Sequence, residues 1–195
     1  MARPESAANR HVMPDPPYIE TLFSTTRFAW LWLLVRLYVG WIWLTSGWGK
    51  LGNPAWTETG AALRSFWMNV TAIPESGRPA ITYGWYREFL RALLDREAYT
   101  WMAPLIVWGE ILIGLGLVLG VLTGFAAFFG AFMNFNFMLA GTASTNPVLF
   151  TLAILLLLAW KVAGWIGVDR WLLPLLGTPW GGGSLWERAR RRSVS

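Results

Sequence analysis

The chain has 195 residues, is 55% hydrophobic and 16% aromatic, and carries a net charge of +5, much of it in the run Glu187-Arg188-Ala189-Arg190-Arg191-Arg192. Its mean hydropathy of +0.41 is too high for an ordinary soluble domain and predicts a small polytopic membrane protein. With no cysteine and one histidine, His11 in the polar N-terminal stretch, it excludes thiolate nucleophiles, Fe–S clusters, metal–cysteine sites and a bis-His haem held by this chain alone.

Residues 1–27 are polar and proline-bearing and read as a tail that becomes ordered near Tyr18. The tail is too long and too acidic for a signal-peptide n-region, and the first apolar run is expected to be retained. That run, the first span, covers about Phe28 to Gly47, with Arg36 near its midpoint and tryptophans crowding both ends as an interfacial belt does. A long insertion follows, from Lys50 to Tyr99. Asn53-Pro54 reads as N-cap and first helical position of a helix through about Asn69. Pro74 to Pro79 is a loop, and a second helix runs from about Tyr83 to Ala98, with Trp85, Phe89, Ala92 and Leu93 on one stripe. Both are expected to lie in the plane of the membrane or to cap the bundle.

Trp101 to Ala140 is almost wholly apolar and holds one ionisable residue, Glu110. As one helix it would be about 60 Å long, twice the thickness of a bilayer's hydrocarbon core. A turn at Gly120 to Gly124 therefore divides it into span two, about Trp101 to Val121, and span three, about Gly124 to Ala140. A short polar loop, Gly141 to Asn146, leads through a second Asn-Pro cap to span four, about Pro147 to Gly167, after which a Gly- and Pro-broken stretch gives way to a basic tail over 181–195. The expected fold is all-α: an integral membrane four-helix bundle over residues 28–180, with amphipathic in-plane helices between spans one and two. The tails with Lys161 and Arg170 hold nine Lys and Arg against six in the insertion, which favours a cell-membrane protein with cytoplasmic termini. The basic tail then reads as an anchor on anionic lipid, not as a nucleic-acid face.

Glu110 and Asn134 each stand about a dozen residues from the turn between spans two and three, so an antiparallel hairpin sets them at similar depth. A charge there costs several kcal/mol unless it is paired or protonated. Arg36 on the neighbouring span is the expected partner of Glu110, as a bidentate guanidinium–carboxylate pair. Such a pair either fixes helix packing or serves a polar ligand or proton that must reach it. Asn134 and Asn136 point about 200° apart on a helix, so at most one faces Glu110. Lys50 is placed at a pocket mouth where it attracts an anion, or is an interfacial anchor. Trp108, beside Glu110, is a candidate wall for a quinone ring. Gly109, Gly114, Gly116 and Gly120 follow no strand and read as close helix packing, not as a dinucleotide loop.

Three segments, RLYVGWIWLTSGWGKL, WGEILIGLGLVLGVLTGFAAFFGAFMN and NFMLAGTASTNP, resemble the DoxX/DoxD family of small four-helix membrane proteins. Arg36, Gly40, Gly47 or Gly49, Lys50 and Leu51 carry the first motif; Gly109, Glu110, Gly114, Gly120 and Thr123 carry the second. The long first loop and KVAGWIGVDRWLLP are more similar to the DoxD-like branch. The resemblance implies a membrane oxidoreductase subunit: DoxD-type members join two thiosulfates into tetrathionate and pass two electrons to a membrane quinone, whereas DoxX-type members are linked to thiol and oxidative-stress homeostasis and many members have no assigned reaction. It also implies a small second subunit and a dissociable quinone as acceptor. On this reading Arg36 and Glu110 are catalytic, as electrostatic anchor and proton relay, while Lys50, Asn134, Asn136 and Trp108 bind substrate. Two other readings stand beside it: a membrane anchor or assembly module for a redox partner, and a small transporter, which with four spans is expected to be a homo-oligomer.

Overall fold

The structure, a computed structural model, describes residues 15–176; His11 and the basic C-terminal run lie outside them. Every regular element among the described residues is helical. The chain becomes helical close to the expected Tyr18, as α1 (Pro17–Ser24), and one 3-10 turn (Thr26–Phe28) leads into α2 (Ala29–Leu51). α1 is tied back onto α2: the Trp32 indole N–H donates to the Leu22 carbonyl at 2.8 Å, and the Phe23 and Trp32 rings stand 5.2 Å apart.

The insertion starts as its Asn-Pro pair predicts. Asn53 Oδ1 accepts from the Ala55 N–H at 3.0 Å and caps α3 (Pro54–Thr57). The single helix expected through Asn69 is two, however. Gly60 takes φ +68 and restarts the chain as α4 (Ala61–Thr71), because any side chain at Gly60 would run into the Tyr99 backbone. The next helix, α5 (Gly84–Asp95), buries Tyr86 and Leu90 against Leu63 and Trp67 of α4, and leaves Trp85 and Phe89 exposed. Of the apolar stripe read from sequence, Trp85, Phe89 and Ala92 are exposed and Leu93 is half-buried against the second cluster. α5 is apolar on two sides, and only one of them meets protein.

Two helical stretches, Thr26–Leu51 and α6 (Tyr99–Leu119), are long and apolar enough to cross a membrane. They run antiparallel in close contact, with glycine at each crossing point. A Cβ on Gly114 would come within 2.6 Å of the Leu44 nitrogen, and one on Gly40 within 2.9 Å of Leu117. Small residues let the backbones approach, and the contact fixes the register between the helices. The turn after α6 falls where predicted: Gly120 caps the helix at φ +67, and α7 (Thr123–Leu139) follows. α7 packs on α8 (Asn146–Leu158), where Phe135 and Phe150 rings stand 6.1 Å apart. α7 and α8 are apolar but shorter than a full span. The expected fourth span is broken at Ala159 and continues only as α9 (Trp160–Ala163), before a turn into α10 (Asp169–Leu176). The core runs between α2, α6, α7 and α8 through Val39, Trp43, Leu117, Ala127 and Leu156; a second cluster lies under α4 and α5.

Candidate functional site

The register of α2 on α6 decides which charges meet. Gly47 sits against Ile111 and the Glu110 Cβ. Arg36 is eleven residues earlier on the same helix, so it lies about 16 Å further along. The expected Arg36–Glu110 pair is therefore not formed. Lys50, one turn past Gly47, takes that place. Its side chain leans back along α2, as helical side chains do. Its ammonium donates to both Glu110 oxygens, at 2.7 Å and 2.5 Å, and to Ser46 Oγ at 2.8 Å. It also lies 5.3 Å from the centre of the Trp56 ring. Glu110 is 1% exposed while Lys50 keeps 23%, so the pair joins the interior to the α3 end of the molecule.

The same pair lines a cavity of about 280 Å³ together with Asn134, Trp43, Thr145 and Asn146. Asn134 is wholly buried, and among the described residues neither its amide nitrogen nor its oxygen has a hydrogen-bond partner; the Trp43 indole N–H is likewise without one. Leaving such groups unsatisfied costs about 1–3 kcal/mol each. Asn134 thus shares Glu110's cavity, as the hairpin argument predicts. Asn136 does not: its side-chain oxygen and its carbonyl both accept from the Tyr86 hydroxyl, at 3.2 Å and 3.1 Å. Burial against α7 pushes the Tyr86 phenol up to about 12. Trp108 is 53% exposed on the outer face of α6 and reaches neither pair nor cavity. α6 is apolar on all sides, so its rotation could not be read from pattern.

Arg36 belongs to a second cluster at the other end. It is 1% exposed, donates to the Ile166 carbonyl at 2.6 Å, and feels the charge of Asp169. Gly120 and Gly167 make the space for its guanidinium. Asp169, also buried, accepts from the Leu122 N–H at 2.6 Å and the Thr123 N–H at 2.8 Å, which ties the chain after α9 onto the start of α7. Asp169 was missed as a functional residue. The available signal was a lone acid inside an apolar C-terminal stretch, GWIGVDRWLL. Ser46 and Trp43 were missed because serine and tryptophan in a span are read first as packing and belt residues.

Long apolar helices folded around a buried lysine–glutamate pair define a small, all-helical membrane protein. Residues 31–143, more than half of the 195-residue chain and reaching from early α2 to the loop before α8, match the sequence model of the DoxX family. The chain belongs to the DoxX family. No curated protein and no solved structure matches it significantly.

Proposed function

We propose that this chain is the membrane subunit of a quinone-linked oxidoreductase of the DoxD-like type, and that the Lys50–Glu110–Asn134 cavity receives the quinone head. One observation carries this reading: the buried Asn134 amide, unpartnered at both atoms, beside a lysine–glutamate pair that reaches toward the α3 end. A quinone is an apolar ring with two carbonyl acceptors, and it takes up two protons with two electrons to become the quinol. Asn134 Nδ2, the Trp43 N–H and the Lys50 ammonium supply donors for the carbonyls. The Lys50–Glu110 pair is the route by which a proton passes between the cavity and the α3 side.

A dianion gains little from a lysine already neutralised by Glu110, and the Arg36 guanidinium lies at the other end, away from this cavity. A sulfur-compound donor such as thiosulfate is therefore bound elsewhere, together with a second subunit. There two thiosulfates give tetrathionate and the two electrons that the quinone takes. In this reading α2, α6, α7 and α8–α9 form four spans in the cell membrane with both termini cytoplasmic, and α3–α5 lie at the opposite surface. The test is thiosulfate-dependent quinone reduction by membranes containing the full chain and its co-expressed neighbours. Glu110→Gln is expected to lower turnover at least tenfold, and Asn134→Leu to weaken quinone binding. Unchanged turnover in Glu110→Gln sinks the proton route; absence of any quinone binding to the wild-type chain sinks the assignment.

A further inference from the structure

A large groove lies on the outer side of the seam between α6 and α7, with a volume of about 650 Å³. Apolar side chains and two glycines, Gly109 and Gly116, line it from Met102 to Leu119, about 26 Å along α6, and on through Leu122 into α7. Gly109 precedes Glu110 and Met133 precedes Asn134, so the groove and the polar cavity are separated by the thickness of this seam. A third cavity of about 200 Å³, roofed by α5, bridges them. It shares Met102, Ile106, Phe132 and Met133 with the groove, and Leu63, Phe66 and Phe137 with the polar cavity. Polar cavity, bridging cavity and groove are therefore neighbours in series. Two of the four side chains that line both the groove and the bridging cavity are methionines, Met102 and Met133, whose unbranched chains change rotamer readily.

We infer that the polar cavity is reached sideways from the bilayer, past Met102 and Met133 beneath α5, by a molecule with a small polar head and one long apolar tail, and that the tail comes to rest in the α6–α7 groove. This rests on the reading of the polar cavity as a quinone-head site, and names how such a molecule gets in and where the rest of it lies. Size favours a chain over a second protein copy. A helix about 10 Å across and 26 Å long displaces on the order of 2000 Å³, several times the groove's volume. Chemistry agrees, because the groove offers no hydrogen-bonding side chain and so holds the part of a ligand that needs none.

The experiment uses the full chain in phospholipid nanodiscs and a benzoquinone carrying a ten-carbon tail that ends in a diazirine. After irradiation, labelled residues are mapped by mass spectrometry. The expected result is labelling concentrated in the groove, at positions such as Phe125, Phe129 and Phe132, over similarly exposed α2 positions such as Leu34 and Tyr38. An excess of the same quinone ring without a tail is expected to displace it. Gly109→Phe, whose side chain enters the groove from a position where only Met133 Sδ lies near, at 3.7 Å, is expected to cut the labelling at least tenfold. Gly109→Ala is expected to leave it. Equal labelling of Leu34 and the groove, or indifference to Gly109→Phe, overturns the inference. Groove labelling that the tail-less ring cannot displace also overturns it, by separating tail from head. Equilibrium dialysis of the tail-less ring against wild type and Asn134→Leu tells the two failures apart. If Asn134→Leu weakens that binding, the head site stands while the tail path falls; if the wild type does not bind the ring, both fall.

Discussion

Replacing Lys50 with methionine keeps an unbranched side chain one atom shorter and removes its charge. Glu110, 1% exposed and held by that ammonium through both oxygens, is then left with no cation among its described partners. A carboxylate stranded in such a place escapes by taking a proton. For an ordinary glutamate at pH 7 this costs 1.36 kcal/mol for each of about 2.7 pH units, roughly 3.7 kcal/mol. That lies within the roughly 3–5 kcal/mol found when one partner of a buried pair is removed. The folded variant then holds one proton more than its unfolded chain, so its stability falls as pH rises and recovers as pH falls. At pH 5 the loss is expected to shrink to about 1 kcal/mol. The double variant Lys50→Met/Glu110→Gln strands no charge, and is expected to regain most of the loss at pH 7 and to lose the pH dependence. The assay is SDS-titrated unfolding of reconstituted protein, followed by helical circular dichroism at pH 5 and pH 7. Equal loss for Lys50→Met at both pH values, or a double variant no more stable than the single one, would refute the reasoning.

The same titration checks three further sites. Gly120→Ala puts a side chain at φ +67 and into the space of the Arg36 guanidinium, and is expected to cost at least about 1–2 kcal/mol. Gly49→Ala, in α2 with nothing near its Cβ, is expected to gain about 0.5–1 kcal/mol. Asp169→Asn removes the charge that faces Arg36 and one of the two acceptors at the start of α7, for an expected loss of about 2 kcal/mol. Adding Arg36→Gln to it is expected to cost less than Arg36→Gln does alone. Of the five tyrosines, Tyr86 is expected to ionise late, near pH 12, in a titration followed at 295 nm, and Tyr86→Phe is expected to remove that step. Because the folded phenol holds its proton longer than the unfolded one, stability is complete below about pH 10 and declines as pH rises toward 12.

Much of this molecule is decided one-dimensionally. The apolar runs, the glycine turn after Leu119, the Asn53-Pro54 cap and the helical insertion are local, because each depends on the preferences of a few adjacent residues. The common depth of Glu110 and Asn134 is also local in origin, since counting from one tight turn sets both. The family match covers that same stretch. The tertiary structure decided the pairing of charges and the facing of helices. Arg36 and Glu110 each look central within their own spans, yet backbone contact at Gly40, Gly47 and Gly114 offsets those spans, so that Lys50 meets Glu110 while Arg36 donates to the Ile166 carbonyl at the other end, within the field of Asp169. Trp108 turned outward and Asn136 turned to Tyr86 for a related reason: a helix that is apolar on every side carries no pattern that says which side is in. The offset of one helix along its neighbour is a property of two surfaces in contact, and no single segment of chain contains it.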